Sequence, residues 1–126
     1  MRDLTVRNFY SDYGPLYGGG TFVLDRVRMD HDGNTDADGG AIWGDDVTVR
    51  DSVFADNYSA ASGGAIAAGS LTTEHTSFLR NHAVENGGAF YADGTVRLWR
   101  SDFIDNRADG QGGAGWIDSD STATID

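Results

Sequence analysis

Residues 47–66 read VTVRDSVFADNYSAASGGAI, and this stretch decides the fold because its features return along the chain. The tripeptide Gly-Gly-Ala occurs four times at spacings of 24, 24 and 25 residues, beginning at Gly39, Gly63, Gly87 and Gly112. The motif Phe-x-x-Asn keeps a fixed phase with it, at 54–57, 78–81 and 103–106. Repetition at a period of roughly 20–50 residues is typical of solenoids and other repeat folds.

Each repeat alternates in the manner of a β-strand. Val47 and Val49 share one face of their segment, as Ser52 and Phe54 do in the next, and a period of two is the strand pattern. Turns rich in Gly, Asp, Asn and Ser separate the segments. One such unit cannot bury its apolar face alone, whereas stacked units bury a continuous column. We therefore predict an all-β fold, a right-handed parallel β-helix of about five coils, each of about 24 residues with three short strands.

Stacking predicts a role for each residue of the second motif. The three Phe residues form an aromatic column inside the helix, and the three Asn residues form an amide ladder at a bend. In an earlier, degenerate repeat Met29 stands at the Phe position, and Asp32 stands at the Asn position with one extra residue before Gly39. These are structural roles.

The first repeat is harder to align. Leu4-Thr5-Val6 is placed with Phe22-Val23-Leu24, which gives a short unit of 18 residues. This alignment predicts one outward column of alternating charge, whose members are Arg7, Asp25, Arg50 and Glu74. Opposite charges on neighbouring strands favour one order of coils.

The amino-acid composition indicates which classes of binding partner are not expected. The 126 residues have a formal net charge of −11, with no Lys and no Cys. Because nucleic-acid binding and anionic membrane binding both need a basic patch, neither is expected. The run 1–6 lacks the apolar stretch of a signal peptide, and the chain has no apolar run of about 18 residues. We expect one β-helix segment over 1–126, part of a longer solenoid with clear repeats over 22–117, whose bare ends favour end-to-end self-association.

The paired motifs resemble the polymorphic outer membrane protein repeat, which is defined by GGA[I/V/L] and FxxN. They stand here as Gly39-Gly40-Ala41-Ile42, Gly63-Gly64-Ala65-Ile66 and Gly87-Gly88-Ala89-Phe90, together with the Phe-x-x-Asn motifs. In the last copy Gly115 replaces the apolar fourth residue. The resemblance implies a pectin-lyase-like β-helix. It also implies a secreted or cell-surface location, since such repeats form displayed passenger domains that are often adhesins.

The segment 30–39 is a candidate calcium site. Oxygen-bearing side chains alternate along it, and the predicted ligands are Asp30, Asp32, Asn34, Asp36 and Asp38. Ca²⁺ takes six to eight hard oxygen ligands on a flexible loop. The alternative is a solvated turn in an Asp-rich protein.

A second candidate site consists of aromatic residues that follow the Gly-Gly-Ala motifs. Trp43, Tyr91 and Trp116 stand at equivalent positions, with Ala67 in the coil between the first two. If Ile42 and Ile66 point inward, these aromatic side chains form an outward row that can stack on sugar rings. Alternatively, this face is the inner one or packs against a loop.

Three functions remain open at this stage. The first is a structural or adhesive β-helix rod of a secreted or cell-surface protein without catalysis of its own, with a surface protein or a carbohydrate as partner. The second is a carbohydrate-binding β-helix, or a carbohydrate-processing one of the polysaccharide lyase or glycoside hydrolase kind. Catalysis would need a defined carboxylate pair, and no Asp spacing singles one out. The third is a calcium-stabilised structural module.

Overall fold

The computed structural model describes residues 1–118 and 121–126, and the described residues form strands and turns without any helix. Strands of successive coils pair in parallel about 24 residues apart, as in the pairing of Ile42 with Ile66 and of Ile66 with Phe90. About five coils stack in this way, which confirms the predicted parallel β-helix. Within the described ranges, no helix has the length and apolarity needed to cross a lipid bilayer.

Seventeen strands lie in the described part of the chain. They are β1 (Arg2–Arg7), β2 (Tyr10–Ser11), β3 (Leu16–Tyr17), β4 (Thr21–Asp30), β5 (Gly33–Asn34), β6 (Ile42–Arg50), β7 (Val53–Ala55), β8 (Tyr58–Ser59), β9 (Ile66–Glu74), β10 (Ser77–Leu79), β11 (His82–Ala83), β12 (Phe90–Ala92), β13 (Val96–Trp99), β14 (Asp102–Ile104), β15 (Arg107–Ala108), β16 (Gly115–Ile117) and β17 (Ala123–Ile125).

These strands form two sheets. The larger sheet follows the order β14-β10-β7-β4-β6-β9-β12-β16, with β1, β3, β13 and β17 attached to it. The smaller sheet follows the order β15-β11-β8-β5-β2 and consists of the two-residue strands after the Asn positions. A later coil therefore has four strand segments where the sequence predicts three. Two residues are too few to show alternation, which is why pattern analysis misses the fourth segment.

Each coil bends at three corners, and a residue with positive φ lies at each. In the central coil these residues are Asp51 at 47°, Asp56 at 56° and Gly63 at 68°. Asp and His tolerate the left-handed region better than most side chains do. At the third corner glycine is required, because a Cβ atom on Gly63 would lie 2.2 Å from the carbonyl oxygen of Ile66.

The inner Phe column forms as predicted. The rings of Phe54 and Phe78 stack with centroids 5.2 Å apart, and those of Phe78 and Phe103 with centroids 4.8 Å apart. Phe54 and Phe78 are fully buried, whereas Phe103 is partly buried. Met29 occupies the equivalent buried position one coil before Phe54.

The predicted amide ladder is also confirmed. The Oδ1 atom of Asn81 accepts hydrogen bonds from the backbone nitrogen and the Nδ2 atom of Asn57, at 3.1 and 3.0 Å. Asn106 accepts the same pair of bonds from Asn81. The Nδ2 atom of Asn81 also donates to the carbonyl oxygen of Phe54, one coil back. The ladder therefore satisfies buried backbone groups at a bend in every coil that contains it.

The predicted alignment of the first repeat is wrong. β1 pairs with the later half of β4, so that Leu4 lies opposite Val27 and Val6 lies opposite Met29. Val6 thereby continues the inner column, and burial of its side chain favours this register over the predicted one. Arg7 consequently pairs with the carboxylate of Asp30, at 3.0 Å, and does not join the charge column of Asp25. Arg2 stands opposite Asp25 instead.

Candidate ligand-binding site on the aromatic face

An aromatic row runs along the outside of the β-helix. Backbone pairing places Tyr17 beside Trp43, Trp43 beside Ala67, Ala67 beside Tyr91 and Tyr91 beside Trp116. We call the four aromatic side chains, Tyr17, Trp43, Tyr91 and Trp116, the aromatic row. Ile42, Ile66 and Phe90, which precede Trp43, Ala67 and Tyr91 in the chain, are buried in the core. Because successive side chains of a strand point to opposite faces, the row faces outward, and its predicted members are partly exposed.

The row consists of two stacked pairs. Tyr17 and Trp43 have ring centroids 5.0 Å apart and an interplanar angle of 25°. Tyr91 and Trp116 have ring centroids 5.3 Å apart and an interplanar angle of 1°. Ala67 occupies the position between the two pairs, and it breaks the row because its side chain is a single methyl group. The two pairs therefore face each other across a gap.

This gap is a slot of about 280 Å³, which we call the Ala67 slot. Trp43 and Tyr91 form its two walls, and it is lined by Asp38, Trp43, Gly44, Asp45, Ala67, Ala68, Gly69, Tyr91 and Asp93. The walls are two coils apart, or about 9.6 Å at the usual strand spacing of about 4.8 Å. The volume lies just below the usual range for small-molecule sites, about 300–1,000 Å³, so the slot suits one ring-sized group.

Three carboxylates lie at the ends of the slot. Asp45 and Asp93 follow the aromatic row by two residues in their coils, whereas Asp38 precedes it. Asp38 accepts a hydrogen bond from the backbone nitrogen of Ser62 at 2.8 Å, and Asp45 accepts one from that of Gly20 at 2.7 Å. These bonds orient two of the three carboxylates.

The slot is electrostatically negative. None of the described residues that line it is basic. Burial raises the pKa of the Tyr91 hydroxyl, and the negative charges of Asp93, Asp118 and Asp38 raise it further. A cation in the slot would meet opposite charge at both ends and aromatic faces on both sides.

Sequence analysis identified three of the four aromatic residues and missed the carboxylates. Trp43, Tyr91 and Trp116 lie together as predicted, and Tyr17 joins them. Tyr17 escapes notice because its coil has Gly14-Pro15 in place of Gly-Gly-Ala. The pattern aromatic-x-Asp includes two of the carboxylates, at 43–45 and 91–93, but it also occurs at 10–12, 54–56, 103–105 and 116–118, so it does not single them out.

Asp30, the first predicted calcium ligand, forms ion pairs with two arginine residues. Its carboxylate is fully buried, and it accepts hydrogen bonds from both Arg7 and Arg28. Burial alone would raise the pKa of Asp30, but these hydrogen bonds outweigh burial and lower the pKa to about 2. The charge of this carboxylate is already compensated by two guanidinium groups.

The remaining predicted ligands point to different partners. The amide oxygen of Asn34 accepts bonds from the backbone nitrogens of Ala37 and Ala60, Asp36 is exposed, and Asp38 faces the Ala67 slot. Across residues 1–118 and 121–126 there is no group of three or more acidic, His or Cys side chains arranged to hold a metal. Calcium binding by this turn therefore stays a prediction.

Asp32 occupies the place of Asn in the amide ladder. Its backbone nitrogen donates to Oδ1 of Asn57 at 3.0 Å, and its own Oδ1 accepts a bond from the backbone nitrogen of Phe9 at 2.9 Å. Its Oδ2 atom, where Asn would carry a donor, is buried without a hydrogen-bond partner. Burial raises the pKa of this carboxyl to about 6. Asp32 thus lies at the Asn position of the ladder, as the sequence alignment predicted, and its role as a calcium ligand stays a prediction.

Comparison with known proteins adds one finding to this geometry. Residues 51–69 match the family model of the Chlamydia polymorphic membrane protein (Chlamydia_PMP) repeat. The matched stretch is the central coil from the corner at Asp51, through Phe54 and Asn57, to Gly69 beside the slot. The chain thus carries a repeat of the polymorphic membrane protein type, built into a parallel β-helix. Searches of the curated proteins and of the solved structures find no significant match.

Proposed function

We propose that this chain is a structural β-helix segment of a cell-surface protein, and that it adheres to carbohydrate through the aromatic row. The matched repeat takes its name from a family of membrane proteins, which supports a place at the cell surface. The parallel stack of coils supports a rod-like structural role, since each coil packs mainly on its two neighbours.

The observation that carries the adhesive part of the proposal is the outward stacking of four aromatic side chains in register. Isolated exposed aromatic residues are common on protein surfaces. Here instead they lie at the same position in four coils, with ring planes within 25° of one another in each pair. A free ring face binds the C–H face of a sugar ring, because the negative ring face attracts the weakly positive C–H hydrogens. In each stacked pair the free faces are those turned away from the partner ring.

The test is binding of oligosaccharides to the whole chain, measured by a glycan array and then by titration calorimetry. Trp43→Ala and Tyr91→Ala should each weaken binding at least about tenfold, equivalent to roughly 1.4 kcal/mol. Trp99→Ala is the matched control, because Trp99 is 48% exposed but lies on β13, outside the row. Equal losses for Trp99→Ala and Trp43→Ala, or no binding to any oligosaccharide, would overturn the proposal.

A further inference from the structure

We infer that the Ala67 slot is a binding site for a single cationic pyranose ring, that is, a protonated amino sugar. This inference rests on the proposed carbohydrate-binding function of the aromatic row and names the chemical class of ligand that one position of the row selects. It follows from the interruption of the row at Ala67 and from the three carboxylates around the gap.

The dimensions of the slot suit one ring. The strands that carry Trp43 and Tyr91 are two coils apart, about 9.6 Å, so a ring level with the strand of Ala67 lies about 4.8 Å from the strand of each wall. That separation is within the range at which aromatic faces contact other rings, about 4.5–7 Å.

The charges of the slot select a cation. An ammonium group above Gly69 lies between the Asp45 and Asp93 positions, and the ring hydroxyls at the other end of the slot can donate to Asp38. A neutral sugar gains the stacking but not the charge pairing.

The fold does not demand the small residue at position 67. Gly69 has a packing reason to be small, because a Cβ atom there would lie 2.6 Å from the carbonyl oxygen of Asp45. Ala67 lines the slot, with only 1% of its surface exposed, and the coils on both sides carry large aromatic residues at the same position. A large residue at 67 would continue the stack. The gap is therefore a feature of the surface that the packing of the core does not require.

The experiment measures the affinity of the whole chain for glucosamine, glucose and choline by titration that follows tryptophan fluorescence. Glucosamine should bind at least about tenfold more tightly than glucose, a difference of roughly 1.4 kcal/mol. The double variant Asp45→Asn with Asp93→Asn should bring the ratio of the glucosamine and glucose affinities to about one. The matched control is Asp46→Asn with Asp102→Asn, which removes two exposed carboxylates that do not line the slot.

A second experiment uses the variant Ala67→Trp, whose side chain fills the slot and completes the aromatic stack. It should abolish glucosamine binding while the midpoint of urea denaturation stays the same or rises, which separates loss of the site from loss of the fold. Equal affinity for glucosamine and glucose would overturn the inference, as would tighter binding of choline or undiminished binding by Ala67→Trp. If neutral oligosaccharides bind through Trp43 but glucosamine has no advantage, the proposed function stands and this inference fails. If glucosamine binds in the slot and oligosaccharides do not bind, the reverse holds.

Discussion

Two columns of side chains run along this β-helix, one inside it and one on its surface. The inner column has an apolar residue in each coil from Val6 and Met29 to Phe54, Phe78 and Phe103, and its Phe rings stack without a break. The outer aromatic row stacks in the same manner but is interrupted at Ala67. Both columns rest on the same parallel pairing of coils.

The difference separates what the fold requires from what it leaves free. A missing ring in the inner column would leave a cavity in the core, and the surrounding coils could not close it fully. A missing ring in the outer row leaves a slot at the surface, and the residue at its position, Ala67, lies outside the hydrophobic core cluster. Interruption of a repeat at a surface position is therefore informative about function, whereas its continuation at a core position reports on stability.

The largest expected effect comes from an interruption of the inner column. Phe78→Ala should destabilise the chain by about 3–5 kcal/mol, because Phe78 is fully buried between Phe54 and Phe103. In the outer row, Tyr91→Ala should cost only about 0.5–1.5 kcal/mol, the usual value of an aromatic pair. Urea denaturation of both variants measures the contrast, and equal losses would mean that the two columns do not differ in kind.

The next effect concerns Asp32, the residue that interrupts the amide ladder. Its pKa is raised to about 6 by burial, so the folded state binds a proton more tightly than the unfolded state does. Stability from this group is therefore fully present below about pH 4 and is lost as pH rises through about 6, by roughly 3 kcal/mol. Asp32→Asn should remove this loss and make the chain more stable than the wild type at pH 8.

Two charged residues lie beside Asp32, and the control for this measurement is an exposed carboxylate of the same turn. Asp30 and His31 both face Asp32, but the pKa of Asp30 is lowered to about 2, so its contribution is lost only at more acidic pH. Asp36→Asn changes an exposed carboxylate of the same turn and should leave the slope between pH 4 and 6 intact. A wild-type stability that rises over that interval would contradict a buried, proton-binding Asp32.

The repeat made most of the fold predictable, and the exceptions have physical causes. Phe54 and Asn81 could be placed because stacking requires the same residue type at the same position in each coil. Val6 was misplaced because the pattern Leu-Thr-Val fits two registers, and only burial in the assembled column decides between them. The slot is formed by residues of coils that are not adjacent to each other. Trp43, Ala67 and Tyr91 could be aligned in advance, but the approach of Asp38 from another corner could not.

A smaller loss is expected where the amide ladder is broken at its centre. Asn81→Leu removes the acceptor of two bonds from Asn57 and the donor to the carbonyl of Phe54. Unpaired buried groups of this kind cost about 1–3 kcal/mol. Asn86→Leu is the control, because Asn86 accepts a bond from the backbone nitrogen of Gln111 at an exposed position where water can replace it. Denaturation midpoints that fall equally for the two variants would show that the ladder has no special role.

The smallest expected effect concerns the charges that stack at the coil corners, outside both columns. Asp56 and Arg80 form a two-bonded pair at 2.7 and 2.8 Å, and the side chain of Arg80 is 55% exposed. Pairs of this exposure contribute about 0.2–1 kcal/mol. Arg80→Ala keeps a side chain with a Cβ atom at this corner, where φ is 52°, so the backbone strain is little changed and the loss reports mainly on the ion pair.

A double-mutant cycle with Asp56→Ala and Arg80→Ala isolates the coupling of the two side chains from their separate effects. The coupling should shrink in roughly 1 M salt, where charges are screened over about 3 Å. The hydrogen bonds of Arg80 also lower the pKa of Asp56, so the coupling should be present at neutral pH and disappear as acid protonates that carboxylate. A coupling that persists in acid and in high salt would have to come from packing, and the corner residues would then belong with the inner column as parts of the structural core.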